Sequence, residues 1–538
     1  MKRILLFVFG LISISSFSQE DAWIFFNAKP NAQYYYDNPL QMLSQKALDR
    51  RTAQNIALDI RDVPLHQPYI DQITASAGIT VLAKSKWLNA LHIKGTQANI
   101  NALTVLSFVD HVQYANHSLN PGGRKSVTTG KTKPSNKFLD IQANYDYGTS
   151  ANQVQMLNAH ILHQQNYTGA GKIIAIMDAG FPGVNTTTPF QRLRDNGLIL
   201  GGYDFVHDSP DPYTGYQHGT QVLSDMGGYV SGQLVGTAPD AHYYLFITED
   251  VSSESPLEES NWVEAAEMAD SLGVDVINTS LGYFTYDNPN YSYTYDDMNG
   301  TTSFVSRAAD IAFTRGMICV TSAGNSGSTV NPHIAVPGDA ALNLTVGAVN
   351  AAEVKGGFSS IGPSFDGRIK PDLMAMGVAA VVATQTGSIG TNNGTSFASP
   401  ILAGAITSFW SAFPTKTNAE IVRIIKESAD RFTAPNNNYG YGIPDFQLAL
   451  NRALSAPSFT QEKFNVYPNP ASDFVTVTCP GESLGSEIVV YNSIGQIIFR
   501  QNLNAFIQYI PVKNWSSGIY HYAIASAGKK QNGKIIKN

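Results

Sequence analysis

Between about residues 142 and 450, short apolar runs alternate with segments of helical apolar spacing, and this alternation restricts the fold more than any other feature. Runs at 173–177, 241–247, 274–278, 318–322 and 344–349 read as strands. Segments at 153–164, 219–226, 262–272, 303–315 and 418–429, and the run that follows Ser396, read as helices. The expected fold class is therefore α/β, a mainly parallel sheet with helices on both faces. In such open sheets the working site gathers at the carboxyl ends of the strands.

Polar residues stand at those ends. The strand ending in Met177 runs into Asp178-Ala179-Gly180, and His218-Gly219-Thr220 opens a helix. A glycine-rich loop around Asn325 follows the strand at 318–322. Asn393 to Pro400 then make a tight turn into a long apolar helix, which places Ser396 at a helix N-terminus. Serine there has two readings: a common helix cap, or a nucleophile beside backbone N–H groups that favour negative charge. The neighbouring segments supply what the second reading needs. A serine hydroxyl is a weak nucleophile until an imidazole takes its proton, and a carboxylate holds that imidazole in the working tautomer. An asparagine amide can donate to the oxygen that becomes charged. Ser326, also beside Asn325, is a rival nucleophile, but no helix start follows it. His207, His242 and His333 read as surface or satisfied core histidines. Asp204, Asp208 and Asp211, near Pro210 and Pro212, read as turn formers rather than as a cation site.

The order Asp, His, Asn, Ser resembles that of the subtilisin-like serine proteases. Matching segments are Asp178-Ala179-Gly180, His218-Gly219-Thr220, Asn278-Thr279-Ser280-Leu281-Gly282, Ala323-Gly324-Asn325, Phe358-Ser359-Ser360, Lys370-Pro371-Asp372 and Gly394 to Pro400. The resemblance implies a Ser-His-Asp triad of Ser396, His218 and Asp178, an oxyanion hole from Asn325, and a substrate-pairing strand at Ser280, Leu281 and Gly282. Two departures stand out: Ala179 where the family usually has Ser or Thr, and Gln221 where it often has a second histidine. The segment 228–233 lacks the carboxylates that bind calcium in many relatives, so no cofactor is expected to be required and calcium has no clear ligand loop. The neutral Ser326 points to uncharged or apolar side chains in the primary specificity pocket.

The flanks complete the organisation. Met1-Lys2-Arg3 followed by an apolar run and Ser16-Phe17-Ser18 reads as a signal peptide at 1–18. Residues 19–119 read as a small α+β unit, with exposed Arg50 and Arg51 on a helix. A polar linker follows at 120–141, the α/β domain at 142–455, and short alternating strands of a β-sandwich at 456–538. By resemblance the first unit is a propeptide and the last a type IX secretion sorting domain; a carbohydrate-binding sandwich is the alternative for the tail. A net charge of −7 over 538 residues, 14% of them charged, argues against a nucleic-acid partner. Cys319 is expected to be a buried strand residue. The tyrosine-rich stretch 283–295 either borders the groove or packs on the surface. The expected product is a monomeric secreted endopeptidase acting on proteins or peptides and exported by outer-membrane sorting machinery. The competing readings are a catalytically silent peptide-binding relative, an acid-acting relative, and a surface adhesin.

Overall fold

The structure, a computed structural model, describes residues 19–120, 145–454, 464–479, 486–503, 507–526 and 529–538. The expected signal peptide and nearly all of the linker lie outside them. The N-terminal unit comprises β1 (Gln19–Phe26), α1 (Ala32–Asp37), α2 (Gln45–Ala53), α3 (Gln67–Thr74), β2 (Ile79–Ser85), β3 (Ala90–Thr96), α4 (Gln97–Ala102) and β4 (Val109–Tyr114). Its strands form an antiparallel sheet in the order β2-β3-β1-β4. Strand β1 is buried on both faces. Ala22, Ile24 and Phe26 pack with the unit's own core, whereas Trp23 and Phe25 point the other way into the next domain, as a two-residue side-chain period requires.

The central domain holds α5 (Ala151–Gln155), α6 (Ala159–Gln164), β5 (Ile173–Asp178), α7 (Gln191–Asp195), β6 (Ile199–Asp204), α8 (His218–Gly227), β7 (Tyr229–Val230), β8 (Leu234–Val235) and β9 (His242–Ile247). It continues with α9 (Pro256–Leu272), β10 (Val276–Thr279), α10 (Phe304–Thr314), β11 (Ile318–Ser322), β12 (Leu344–Val349), β13 (Leu373–Met376), β14 (Ala380–Ala383), β15 (Ile389–Asn392), α11 (Thr395–Ala412), α12 (Asn418–Ser428) and α13 (Phe446–Leu454). The main sheet has the order β13-β12-β11-β10-β5-β9-β6, and its pairings are parallel. Ile174 and Ile176 face the core beneath α8 and α11. Ile173, Ala175 and Met177 face the core beneath α9 and α10. Helix α11 is buried from Thr395 to Trp410, as expected of a helix apolar all round. Helix α9 begins six residues before the run read from sequence, because Ser255 and Glu258 form a capping box with Pro256 at the first turn.

The N-terminal unit lies across α9 and α10. Trp23 stacks on Phe304 at 5.0 Å and its indole N–H donates to Ser260 Oγ at 2.9 Å. Arg50 and Arg51, expected to be exposed, are buried instead. Both guanidinium groups bind the buried Asp270 at the end of α9, and Arg51 also donates to Asp62 at 2.8 Å. Their sequence segment has helical spacing, but a carboxylate more than two hundred positions away decides their exposure. The same insertion reaches the amino ends of the parallel strands: Gln54 donates to the Gly316 carbonyl at 2.9 Å and accepts from the Asn418 N–H at 2.9 Å.

The tail contributes β16 (Asn465–Tyr467), β17 (Phe474–Thr478), β18 (Ser486–Tyr491), β19 (Ile497–Leu503), β20 (Ile507–Pro511), β21 (Gly518–Ser526) and β22 (Lys529–Lys537). These make two antiparallel sheets, β16-β17-β20 and β19-β18-β21-β22, which share a core that includes Val475, Val477, Ile488, Val490, Ile510 and Ile535. Cys319 is buried in β11 and Cys479 is buried here, both as free thiols. No described helix is long and apolar enough to cross a membrane.

One buried group in the central domain titrates against the fold. Asp225 on α8 is fully buried; Gln153 donates to its Oδ1 at 3.1 Å, and its Oδ2 has no partner. Burial raises its carboxyl well above the ordinary range, against the Gln153 bond. The folded chain therefore holds a proton that the unfolded chain releases near pH ~3.9, and stability is lost as pH rises from there toward the folded value. Asp225→Asn is expected to remove this dependence. Melting temperatures measured from pH 5 to pH 9 should show the variant gaining on the wild type as pH increases.

Candidate active site

Asp178 is the last residue of β5 and is fully buried. Its Oδ1 accepts from His218 Nδ1 at 2.8 Å and from the Ala179 N–H at 2.8 Å. His218 begins α8, and Gly219 lets that helix approach: a Cβ there would lie 2.5 Å from the Gly180 carbonyl oxygen and 3.0 Å from Asp178 Cβ. Burial alone would lower the His218 pKa. The Asp178 charge and hydrogen bond outweigh it, with Glu249 adding a smaller contribution, and hold the imidazole above its ordinary value. Its ring lies 5.8 Å from that of Phe397, one residue beyond Ser396.

Ser396 is the second residue of α11. Gly394 occupies the cap position, so the hydroxyl is not spent on capping the helix. It donates to the Ser280 carbonyl at 3.1 Å, and Ser280 Oγ donates in return to the Ser396 carbonyl at 2.8 Å. Pro400 makes this exchange available. Proline has no N–H, so the carbonyl four residues earlier, that of Ser396, has no helical donor and takes the Ser280 hydroxyl. The network continues inward, with Ser399 Oγ donating to Asn278 Oδ1 at 2.8 Å and Asn278 Nδ2 to Ser280 Oγ at 3.1 Å.

Asn325 is fixed from the same helix start. Its Oδ1 accepts from the Thr395 N–H at 3.0 Å and the Thr395 hydroxyl at 3.1 Å, and Thr395 Oγ1 accepts from the Gly324 N–H at 3.1 Å. With Oδ1 held, the amide's donor end is turned away from Thr395. Leu281 and Gly282 lie between Ser280 and Tyr283, whose backbone pairs with Val336. The structure thus gathers Asp178, His218, Asn325, Ser396 and the 280–282 segment at the carboxyl ends of β5, β10 and β11, while the Ser396 hydroxyl bonds to Ser280 rather than to His218.

A model of the subtilase family matches residues 169–442, which is half of the chain. The chain belongs to the subtilase family. A model of the Peptidase S8 propeptide domain of Bacteroidota matches residues 21–134, and one of the secretion system C-terminal sorting domain matches 465–538. The chain is 31% identical to subtilisin of Bacillus pumilus over 300 residues, covering 55% of this chain and 97% of that one. It is 29% identical to subtilisin NAT of Bacillus subtilis subsp. natto over 343 residues, 63% of this chain and 81% of the relative. The serine protease AprX of Bacillus subtilis (strain 168) is 28% identical over 350 residues, 59% and 73% of the two chains. The protein is accordingly a subtilisin-like serine peptidase with a propeptide and a sorting tail, a zymogen of secreted type whose substrates are proteins.

Several polar residues separate into roles that sequence left open. Asp204 accepts from the Val206 and His207 N–H groups and Asp211 from that of Tyr213, as turn formers do. Gln221 accepts from Asn392 at 3.2 Å. Residues 229–235 form the β7–β8 hairpin, and among the described residues no group of three His, Cys, Asp or Glu is placed to hold a metal ion. The tyrosine-rich stretch is anchored inward, with Tyr283, Tyr286 and Tyr293 buried. Tyr286 and Tyr293 donate to Glu259 Oε1, each at 2.6 Å, and Tyr283 donates to Glu249 Oε1 at 2.5 Å. Asn278, Thr395 and Ser399 are the positioning residues that the sequence reading assigned no role; their signal was only their place within the matching segments.

The Ala179 departure has a visible result, since Asp178 Oδ2 is buried without a partner. A hydroxyl at position 179 would donate to it and draw charge from the carboxylate, weakening its hold on the imidazolium. Ala179→Ser is expected to move the His218 titration to lower pH by less than about one unit, as one neutral hydrogen bond to a carboxylate allows. NMR titration of the ring protons measures it.

Proposed function

We propose that this subtilase is an endopeptidase that works through a Ser396-His218-Asp178 triad and an acyl-enzyme. On this reading one rotation about the Ser396 Cα–Cβ bond exchanges the Ser280 carbonyl for the imidazole. His218 Nε2 then takes the hydroxyl proton as Oγ attacks the peptide carbonyl. Asp178 stabilises the imidazolium, which next protonates the leaving amine, and water deacylates the serine by the reverse path. The oxyanion receives the Asn325 amide and the Ser396 N–H, aided by the N-terminal dipole of α11. An extended substrate pairs with Ser280, Leu281 and Gly282 as an added strand.

The observation that carries this reading is the buried Asp178 bound at 2.8 Å to an imidazole held above its ordinary pKa, at the start of one helix and beside the start of another. All the groups involved come from one chain, consistent with action as a monomer. The tail supports export across an outer membrane by sorting machinery, with display at or release from the cell surface.

A fluorophosphonate probe should label the mature wild type and fail to label Ser396→Ala. Labelling that persists in the variant would remove Ser396 from the role, and no labelling of either would favour a silent peptide-binding relative or an adhesin. For Asn325→Ala we expect kcat on a peptide substrate to fall by about 10²–10³, the loss known for one such donor in subtilisin itself, with KM little changed.

A further inference from the structure

A carboxyl that the mechanism does not use, that of Glu249, lies close enough to Asp178 and His218 to feel their charge. Strand β5, which ends in Asp178, lies between β9 and β10. Glu249 follows β9 and Tyr283 follows the 280–282 segment after β10, so the hydrogen bond from the Tyr283 hydroxyl to Glu249 Oε1 spans the carboxyl end of β5. The Thr248 hydroxyl also donates to Oε1 at 3.0 Å, and the Thr248 N–H donates to the Asp178 carbonyl at 3.0 Å. Glu249 is 9% exposed, and only Oε1 is engaged; Oε2 has no hydrogen-bond partner among the described residues. A carboxylate oxygen without a partner, close to the 280–282 segment, is a ready acceptor for a cation.

Along the chain on either side of Glu249 the charge has one sign, with Asp240, Asp270 and Asp275 paired to cations from outside that span. From residue 195 to residue 306 the chain contains 18 Asp and Glu and not one Lys or Arg. This span includes His218, Ser280, Leu281 and Gly282. Asp250, Glu254 and Glu258 lie on the loop and helix start beside Glu249, and Asp287 meets them from the segment after β10, with the Glu254 N–H donating to Asp287 at 3.2 Å and the Asp250 N–H to Glu258 at 3.2 Å. Once ionised, such a wall attracts cationic peptides and repels acidic ones, and burial, which pushes Glu258 up to about 9, makes that attraction grow with pH. The chain also carries a segment of the opposite sign: residues 121–139 hold Arg124, Lys125, Lys131, Lys133 and Lys137 and no acidic residue. That segment follows Asn120, just beyond His117, whose N–H donates to the Asn290 carbonyl and whose ring packs on Tyr293.

We propose that Glu249 is a specificity-determining residue, and that its open oxygen takes a lysine or arginine side chain lying within four residues of the scissile bond. The basic 121–139 segment is on this view the first substrate, and basic tracts of other proteins the later ones. The proposal rests on the protease reading above and names its substrate class. The uncharged primary pocket expected from Ser326 concerns a different wall, because Ser326 stands on the Asn325 loop.

The groups facing Glu249 define how the preference should respond to pH. They are Asp178 from β5, His218 from α8, Tyr283 from the segment after β10, Glu254 from the loop before α9 and Glu258 from α9. Burial pushes the Glu249 carboxyl up to about 8, against the Tyr283 and Thr248 hydrogen bonds, with Glu254 and Asp178 adding to the rise. A basic side chain favours the ionised form, so the preference strengthens as pH rises toward that value.

The test uses mature enzyme from the full chain and short internally quenched peptides. Each carries lysine or norleucine at one position within four residues of the cut, and kcat/KM is measured for wild type, Glu249→Gln and Tyr283→Phe. At one or more positions lysine should exceed norleucine by about tenfold at low salt, and the ratio should shrink as salt screens the charge. It should grow with pH in the wild type and collapse toward one in Glu249→Gln. In Tyr283→Phe, which keeps the carboxyl but loses a bond that favours its charge, the ratio should survive and require higher pH. A wild-type ratio near one at every position, or an unchanged ratio in Glu249→Gln, overturns the proposal. If peptides are cut without preference, this proposal alone fails. If none is cut and no fluorophosphonate adduct forms, the protease reading fails and the proposal with it.

Discussion

The reciprocal pair between Ser280 and Ser396 holds the working end of the molecule together. It depends on a residue that is ordinarily a defect in a helix. Pro400 withholds the N–H that would close the first turn onto the Ser396 carbonyl, and the vacated carbonyl binds β10 through Ser280 instead. Helix α11 thereby starts at a defined height above the sheet, and Thr395 fixes Asn325 from the same turn. Two strand ends and one helix start become a single rigid piece, which is what positional catalysis demands. Burial of α11 along nearly its whole length against the main core keeps that piece from shifting.

The electrostatic design around this piece is asymmetric. Buried acids are numerous on the β9, α9 and α10 side, and most are held by hydroxyls or backbone N–H groups rather than by cations. Glu259 receives two tyrosine hydroxyls and the Val305 N–H, and Glu267 receives Ser85 together with the Lys86 and Trp87 N–H groups. Glu267 shows that some of this acidity is built for the propeptide, whose backbone supplies the donors. Neutral donors do not cancel a carboxylate's charge, but burial pushes the Glu264, Glu249 and Glu258 carboxyls up to about 7, 8 and 9, so the field of this wall grows as pH rises.

Much of the central sheet was legible because parallel strands buried on both faces read as unbroken apolar runs. Strand β11 and β12 have the bounds expected, and β5 is longer by Asp178 alone. Edge strand β6 escaped notice because Gly201 and Gly202 dilute its apolar signal, and β13 because its four residues follow directly on Lys370-Pro371-Asp372. The single helix read at 153–164 is two, divided by Asn158 in the left-handed region at φ 53°. The proposed site residues stand out in sequence because each sits in a short motif at a strand end or a helix start. The burial of Arg50, Arg51, Tyr286 and Tyr293 could not, since their partners Asp270 and Glu259 belong to a distant helix. Local pattern carries periodicity and turns; it does not carry the identity of a remote counter-charge.

Strand β1 has no face meant for water. Once the linker is severed and the two bodies part, Trp23 and Phe25 leave the shelter of Phe304 and α9 and become a sticky stripe on a small fragment. Such a stripe favours return to the surface it left. A cut in the linker alone therefore leaves the hold of the first unit on the enzyme intact, because that hold resides in the aromatic stripe and the buried ion pairs rather than in the connecting chain.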